Sequence, residues 1–253
     1  MPASDLSVTF LPHTPSTNRL AIDAIETGAP QGTVFAADCQ SAGRGRRHAD
    51  GSRRPWFSPP GKNLYLSVVV RPDLAVHESA AITIAVGCAL VELLRKKTGV
   101  DLKLKWPNDL YVGDKKLGGI LTEAVTSRRG LQGAALGIGL NINLTPDDFP
   151  DELRDIATSL AAHTGHPLDR LSLLTAVAEA VVDASDTFAE RGLQAFSRTL
   201  EDHDWLRERR IEVDDDGDRR QGTAIGIGES GGLCVRFDDG TTGEVVSGEV
   251  SVV

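Results

Sequence analysis

The sequence predicts an α/β (α+β) protein: a mixed β-sheet with helices on one side over residues 1–208, followed by a small C-terminal β-barrel over residues 209–253. Three observations lead there. Short β-branched or aromatic runs alternate with longer segments whose apolar residues recur at helical spacing, the pattern of helices packed on a sheet. At about Ile211 the character changes to brief β-like runs parted by Gly and Asp, GTAIGIGESGGLCVRFDDGTTGEVVSGEVSVV, which fits four or five short strands. With 253 residues, 40% hydrophobic and 25% charged, the chain can bury a sizeable core; a module of about 45 residues cannot hold much of one alone and should pack on the main domain.

Leu6 to Leu11 forms a short apolar stretch. PSTN, Pro15 to Asn18, precedes Leu20, Ile22 and Ile25 at helical spacing, with Ser16 or Thr17 as N-cap and Gly28 as the stop. Thr33 to Ala37 reads as a short buried strand, and NLYLSVVV, Asn63 to Val70, has the residues of a central one. From Glu78 to Lys97, Ile82, Val86, Leu90 and Leu93 or Leu94 mark a helix; its Ala85, Gly87 and Ala89 let it lie close to a sheet. Leu102 to Trp106 is a strand, Asp109 to Val112 and Leu117 to Val125 form a hairpin about Gly113 and Asp114, and Leu131 to Ile142 is a glycine-rich strand. Two or three helices occupy 150–208, with Leu171, Leu174, Val177 and Val181 on one buried face.

Composition excludes several functions. A net charge of -9 and a pI near 5.2 repel polyanions, so a basic cluster must act locally on a small anion or phosphate. Cys39, Cys88 and Cys234 are odd in number and widely spaced, which fits free thiols rather than a disulfide framework or zinc site. The six histidines show no ligand spacing on a convincing helix, and neither a GxSxG nor a Walker motif occurs. No apolar run approaches the roughly 20 residues of a membrane span, and MPASDLSVTF lacks the marks of a signal peptide, so a cytoplasmic location is expected.

Four segments carry chemistry. GRGRRHADGSRRPWFSPP, Gly43 to Pro60, reads either as a solvated loop or as a phosphate clamp, in which glycines bring backbone N–H groups close to an anion and guanidinium forks match its oxygens. Four of the seven lysines lie between Lys103 and Lys116. In KWPND, Lys105 to Asp109, Pro107 ends a strand so that Lys105, Asn108 and Asp109 can point into one cavity; an ordinary turn would use the same residues. KKLGGILTE, Lys115 to Glu123, sets Lys116 before two glycines that permit close approach of a ligand or of backbone. In GIGLNIN, period-two alternation puts Gly137, Gly139, Asn141 and Asn143 on one face, a glycine floor ending in amides; tight sheet packing would explain it equally.

In order, STN (16–18), Q-SAGRGRR (40–47), WFSPPGKNLYLS (56–67), KWPNDL (105–110), KKLGGILTE (115–123), GIGLNIN (137–143) and the terminal SGEVS closely resemble the biotin protein ligase family, over nearly the whole chain. The resemblance implies a class II synthetase-like catalytic domain and an SH3-like C-terminal barrel. It also implies an activity: ATP, with Mg²⁺, activates biotin as biotinyl-5'-adenylate, and the acceptor lysine of a biotin carboxyl carrier domain then displaces AMP. The carrier would belong to an acyl-CoA or pyruvate carboxylase, with no DNA or membrane partner, and the ligase would be a monomer or weak homodimer.

Residue by residue, the resemblance assigns Lys116, Arg46 and Asp109 to catalysis. Ser16, Thr17, Gln40, Gly43, Arg44, Trp56, Gly119 and Ile120 would bind biotin. Arg46, Arg47, Lys105, Asn108, Lys116, Asn141 and Asn143 would bind ATP or the adenylate, and no metal site is implied, Mg²⁺ arriving with ATP. The chain departs from the family in two ways. His48 to Pro55 put eight residues between Arg47 and Trp56 where three are usual, which predicts an enlarged loop and leaves Arg53 and Arg54 both open as the later family arginine. Regulatory members carry a winged helix before STN, and fifteen residues precede Ser16 here, so a ligase without repressor activity is expected. Rivals are a lipoate or octanoyl ligase or transferase, the latter relying on a cysteine, and a nucleic-acid module using the arginines.

Overall fold

The computed structural model describes residues 6–47, 52–128, 130–215 and 217–253. A seven-stranded mixed sheet forms its centre, in the order β1 (Ser7–Thr14), β2 (Thr33–Gln40), β5 (Leu64–Val70), β9 (Gly130–Leu140), β8 (Lys115–Ser127), β7 (Asp109–Val112), β6 (Leu102–Lys105). Only β1 and β2 pair in parallel; the other neighbours are antiparallel. Strand β5 is buried along its whole length, as its apolar run requires for a central position.

The two faces of β5 divide the molecule. Leu64, Leu66, Val68 and Val70 join the main core under helices α2 (Ile82–Thr98) and α5 (Arg170–Arg191). On the opposite face Val69 packs with Ala21 and Ile25 of α1 (Thr17–Glu26). The two long helices therefore share one side, as the sequence suggests, while short α1 lies on the other, beside the cavity described below.

Local chemistry sets the ends of these helices. Ser16 is the extended N-cap of α1, though its side chain makes no capping hydrogen bond. Asp169 caps α5 by accepting from the backbone of Leu171 and Ser172, and Gly99 ends α2 in the left-handed conformation that suits glycine. One expected core residue fails: Leu171 is 64% exposed, because the buried stripe of α5 begins at Leu173 and Leu174. Between β9 and α5 lie the short helices α3 (Asp151–Arg154) and α4 (Leu160–Thr164), and α6 (Ser197–His203) follows α5.

The C-terminal unit is a five-stranded antiparallel sheet, β13 (Thr242–Val245), β12 (Leu233–Phe237), β11 (Asp218–Ile227), β10 (Arg210–Asp215), β14 (Glu249–Val252). Its Ile211, Val213, Ala224, Leu233 and Val235 belong to the same apolar cluster as the main sheet. An indole fastens the units, Trp106 Nε1 donating to Gly231 O at 2.9 Å, while Trp205, just before the C-terminal sheet, donates through Nε1 to Gly113 O at 2.7 Å and ties the connecting segment to the main unit. Among the described residues no helix is long and apolar enough to cross a membrane.

Candidate functional site

A cavity of about 1120 Å³ opens on the α1 face of the sheet. Gly137 and Gly139 of β9 floor it, and Ile120 of β8 also lines it. Over it lies a separate hairpin, β3 (Arg44–Arg47) and β4 (Arg53–Pro55), built from the arginine-rich loop. Ser247 to Val250 of the C-terminal unit complete the rim.

The glycines of the floor are needed because side chains lie on them. A Cβ at Gly139 would come within 2.6 Å of the Trp56 indole, and one at Gly137 within 2.2 Å of Asn18 Oδ1. Trp56 thus rests on the sheet, with its Nε1 buried and, among the described residues, lacking a hydrogen-bond partner. It is a donor available to a ligand.

One end of the cavity is polar and neutral. The Thr17 backbone N–H and hydroxyl donate to Gln40 Oε1 at 2.9 and 3.3 Å, and Gln40 Nε2 donates to Ser58 Oγ at 3.3 Å. Ser67 Oγ lies 2.8 Å from Thr17 Oγ1 and 2.6 Å from Asn18 Oδ1. Ser16, Thr17 and Gln40 line this end together. Such a set offers both donors and acceptors to a flat urea or amide.

The other end is cationic. Lys116 Nζ lies 2.7 Å from Asp109 Oδ1 and 5.3 Å from the Trp56 ring centre. Gly119 lies directly beneath this pair: a Cβ there would be in ordinary contact with it, 3.4 Å from Asp109 Oδ1 and 3.6 Å from Lys116 Cε. Arg46 reaches Asn108 Oδ1 at 3.5 Å, and Lys105 lies over the rings of Tyr111 and Trp205. Burial lowers the pKa of both Arg46 and Lys105, and Asp109 works against that shift in each. Three cations around one carboxylate leave a positive surplus in a partly desolvated site, which an anionic ligand would neutralise.

The structure brings most of the residues singled out in the sequence to this cavity, and redirects others. Asn143 is a correction: β9 ends at Leu140, so the period-two alternation no longer applies, and its side-chain amide both donates to Leu168 O (3.0 Å) and accepts from Leu168 N (2.9 Å). Asn143 does not line the cavity. Asn141 borders it, but its amide donates to Thr158 O at 3.0 Å and accepts from Asn63 at 3.3 Å. Asn108 likewise holds its turn to β8 by donating to Ile120 O at 2.9 Å. Gly43 lies outside the lining, where it admits Ser58 and Trp56 O at distances no Cβ could tolerate. The Arg47 side chain and the inserted residues 48–51 lie outside the described residues.

Sequence reasoning missed an apolar wall, Phe149, Leu153, Ile156 and Ala157. Ile156 is 59% exposed, and its backbone O accepts from Lys116 N at 2.8 Å, which fixes the wall beside the cations. No motif marks it; a large apolar residue left exposed at a cavity rim is visible only after folding. Asn143→Ala tests the correction above: two lost hydrogen bonds lower stability by about 1–2 kcal/mol in thermal unfolding, with the KM for a nucleotide substrate unchanged.

A sequence model of the biotin/lipoate A/B protein ligase family matches residues 10–141, more than half the chain. The chain belongs to this family. As a member it is similar to the Bacillus subtilis bifunctional ligase/repressor BirA, 38% identical over 159 residues; that match covers 63% of this chain and 47% of the relative, so it spans about half of that protein's length. It is 34% identical over 174 residues to the biotin–[acetyl-CoA-carboxylase] ligase of Paracoccus denitrificans, with 68% and 70% of the two chains covered. Among solved structures, the biotin protein ligase of Aquifex aeolicus in complex with biotin and ATP superposes with a TM-score of 0.81 at 28% identity, covering 98% of each chain. That superposition extends over the C-terminal sheet as well as the segment that the family model matches. Cys39 and Cys88 both lie outside the cavity lining, and Cys88 is buried with its thiol pushed up by desolvation, so neither is placed for acyl transfer within this site.

Proposed function

We propose that this chain is an ATP-dependent biotin protein ligase, and that the ligase unit is residues 1–208 with residues 209–253 as its appended barrel. One observation carries the reading: a single cavity has a neutral hydrogen-bonding end at Thr17 and Gln40 and a cationic end at Arg46, Lys105 and Lys116, joined across a glycine floor. That polarity suits a ligand with a urea at one end and a carboxylate at the other, with a nucleotide beyond. The apolar wall at Phe149, Leu153 and Ile156 offers a surface for a flat base.

In the first step a biotin carboxylate oxygen attacks the α-phosphorus of ATP and pyrophosphate leaves. Negative charge grows on the phosphoryl oxygens, where Lys116 and Arg46 are already fixed and partly desolvated, and so stabilise it without reorganising. Mg²⁺ would arrive with ATP on its phosphates and help the pyrophosphate leave. In the second step the acceptor lysine amine attacks the carbonyl carbon, the bond to the phosphate oxygen breaks, and AMP departs. Asp109, 2.7 Å from Lys116, would take the amine proton. Trp56 and the lid exclude water from the mixed anhydride between the steps.

The acceptor we propose is the biotin carboxyl carrier domain of an acyl-CoA or pyruvate carboxylase. We place the reaction in the cytoplasm, which the three free cysteines favour, and expect a monomer or weak homodimer. Of the activities named for the relatives, this site bears on ligation. The test mixes the protein with ATP, Mg²⁺, biotin and an isolated carrier domain and measures carrier mass. A biotin-sized gain is expected; a lipoyl-sized gain with lipoate and none with biotin overturns the assignment.

A further inference from the structure

The lid hairpin has little to hold it in place by itself. Among the described residues its strands pair at Arg44 with Pro55 and Arg47 with Arg53, with Trp56 N donating to Gly43 O at 2.9 Å beyond them; they form a sheet separate from the main one, and an isolated two-stranded ribbon is marginal in water. Something outside the hairpin must keep it closed.

Glu123, on β8, is placed to do this. Its Oε2 lies 3.2 Å from Arg44 Nη2 and its Oε1 2.7 Å from Arg53 Nη2, so one carboxylate grips both strands of the lid, on either side of the inserted segment. Its side chain is only 16% exposed, and it does not line the cavity. Asn18 Nδ2 donates to Glu123 Oε2 at 2.9 Å and to Leu121 O at 3.1 Å, while Asn18 Oδ1 accepts from Ser67, which also contacts Thr17. A continuous chain of polar contacts therefore runs from the neutral end of the cavity to the lid. Burial would raise the Glu123 pKa, but hydrogen bonds from Asn18 and Arg53 and the charges of Arg44 and Arg53 outweigh it and hold the carboxyl below its ordinary value. The grip is therefore complete above an unfolded-chain value of about 4.3 and is lost only as pH falls below it.

We propose that Glu123 is the positioning residue that anchors the arginine lid and ties its closure to occupation of the neutral end of the cavity, through Asn18, Ser67 and Thr17. The identity of that occupant rests on the biotin reading above; the anchoring does not. Arg53 is thereby assigned to the anchor, while the adjacent Arg54 pairs with Glu249 of the C-terminal unit. The two arginines left open in the sequence divide between the two sides of the lid.

The experiment is limited trypsinolysis of the full chain, with cleavage at the lid arginines read by mass, without and with biotin. Native cleavage reports the local opening of the segment. In the wild type, biotin should slow cutting. Glu123→Gln keeps the shape and loses the charge; its lid should be cut on the order of tenfold faster, with biotin protection lost, as expected when charged hydrogen bonds are removed. Arg53→Gln, on the partly exposed side of the pair, also removes a trypsin site, so opening is compared at Arg44 and Arg46 in every variant; it should open the lid less, and the double variant should be no faster there than Glu123→Gln alone. Cleavage outside 43–60 serves as the folding control. A Glu123→Gln lid cut at the wild-type rate with full biotin protection overturns the proposal, as does additivity in the double variant. Faster cutting in Glu123→Gln with no effect of biotin on either protein keeps the anchor, refutes its coupling to the cavity, and counts against the biotin reading.

Discussion

Lys116→Ala should lose most adenylate formation, with ATP–pyrophosphate exchange falling by about 10²–10³ in kcat/KM, the size of effect seen when a preorganised donor to a developing oxyanion is removed. The reason is geometric. Lys116 lies 2.7 Å from Asp109 at the cationic end, with its stem passing over Gly119, and the neighbouring cations Arg46 and Lys105 sit against other partners. Stability should change by no more than about 1 kcal/mol, because the ion pair is partly solvated. Lys116→Arg should restore only part of the rate, since a planar fork cannot replace a compact ammonium in that space. Exchange at the wild-type rate in Lys116→Ala would remove this side chain from the chemistry.

Gly137→Ala should damage both fold and site. Its Cβ would lie 2.2 Å from Asn18 Oδ1 and 2.8 Å from Asn18 Cγ, and Asn18 is buried with hydrogen bonds to Leu121, Glu123 and Ser67. Either the amide gives up those bonds or the strand shifts. We expect a loss of about 2–4 kcal/mol in denaturant unfolding and at least a tenfold rise in the KM for biotin, with the KM for ATP less affected. Equal rises in both constants would mean that the floor is deformed as a whole rather than at its neutral end. Unchanged stability would show that Asn18 yields easily, and would weaken the polar chain through Glu123.

Much of this architecture was legible before folding. The run NLYLSVVV announced a central strand because residues buried on both faces need not alternate, and the structure buries every residue from Leu64 to Val70. Helical spacing placed α2 within a few residues of its observed ends, since a stripe of apolar residues at period 3.6 has few other uses. The glycine alternation in GIGLNIN located the floor. It misled only past Leu140, where the strand ends and Asn143 turns to the loop at Leu168. Leu171 misled for a related reason, since periodicity gives a helix a face but does not say where along the helix a partner begins.

The sequence by itself determined the parts: which segments are strands and helices, where the C-terminal sheet begins, and which basic residues accompany glycines that permit close approach. These follow from local periodicity and from backbone freedom, which are properties of neighbouring residues. Only the tertiary structure decided how the parts divide their work. It set Lys116 against Asp109, placed an apolar wall from residues 149–157 beside them, and turned Asn141 and Asn143 to scaffolding. It also put Glu123 between Arg44 and Arg53, 79 and 70 residues away. Contacts over such separations depend on strand order and register, and no local pattern in the chain encodes them.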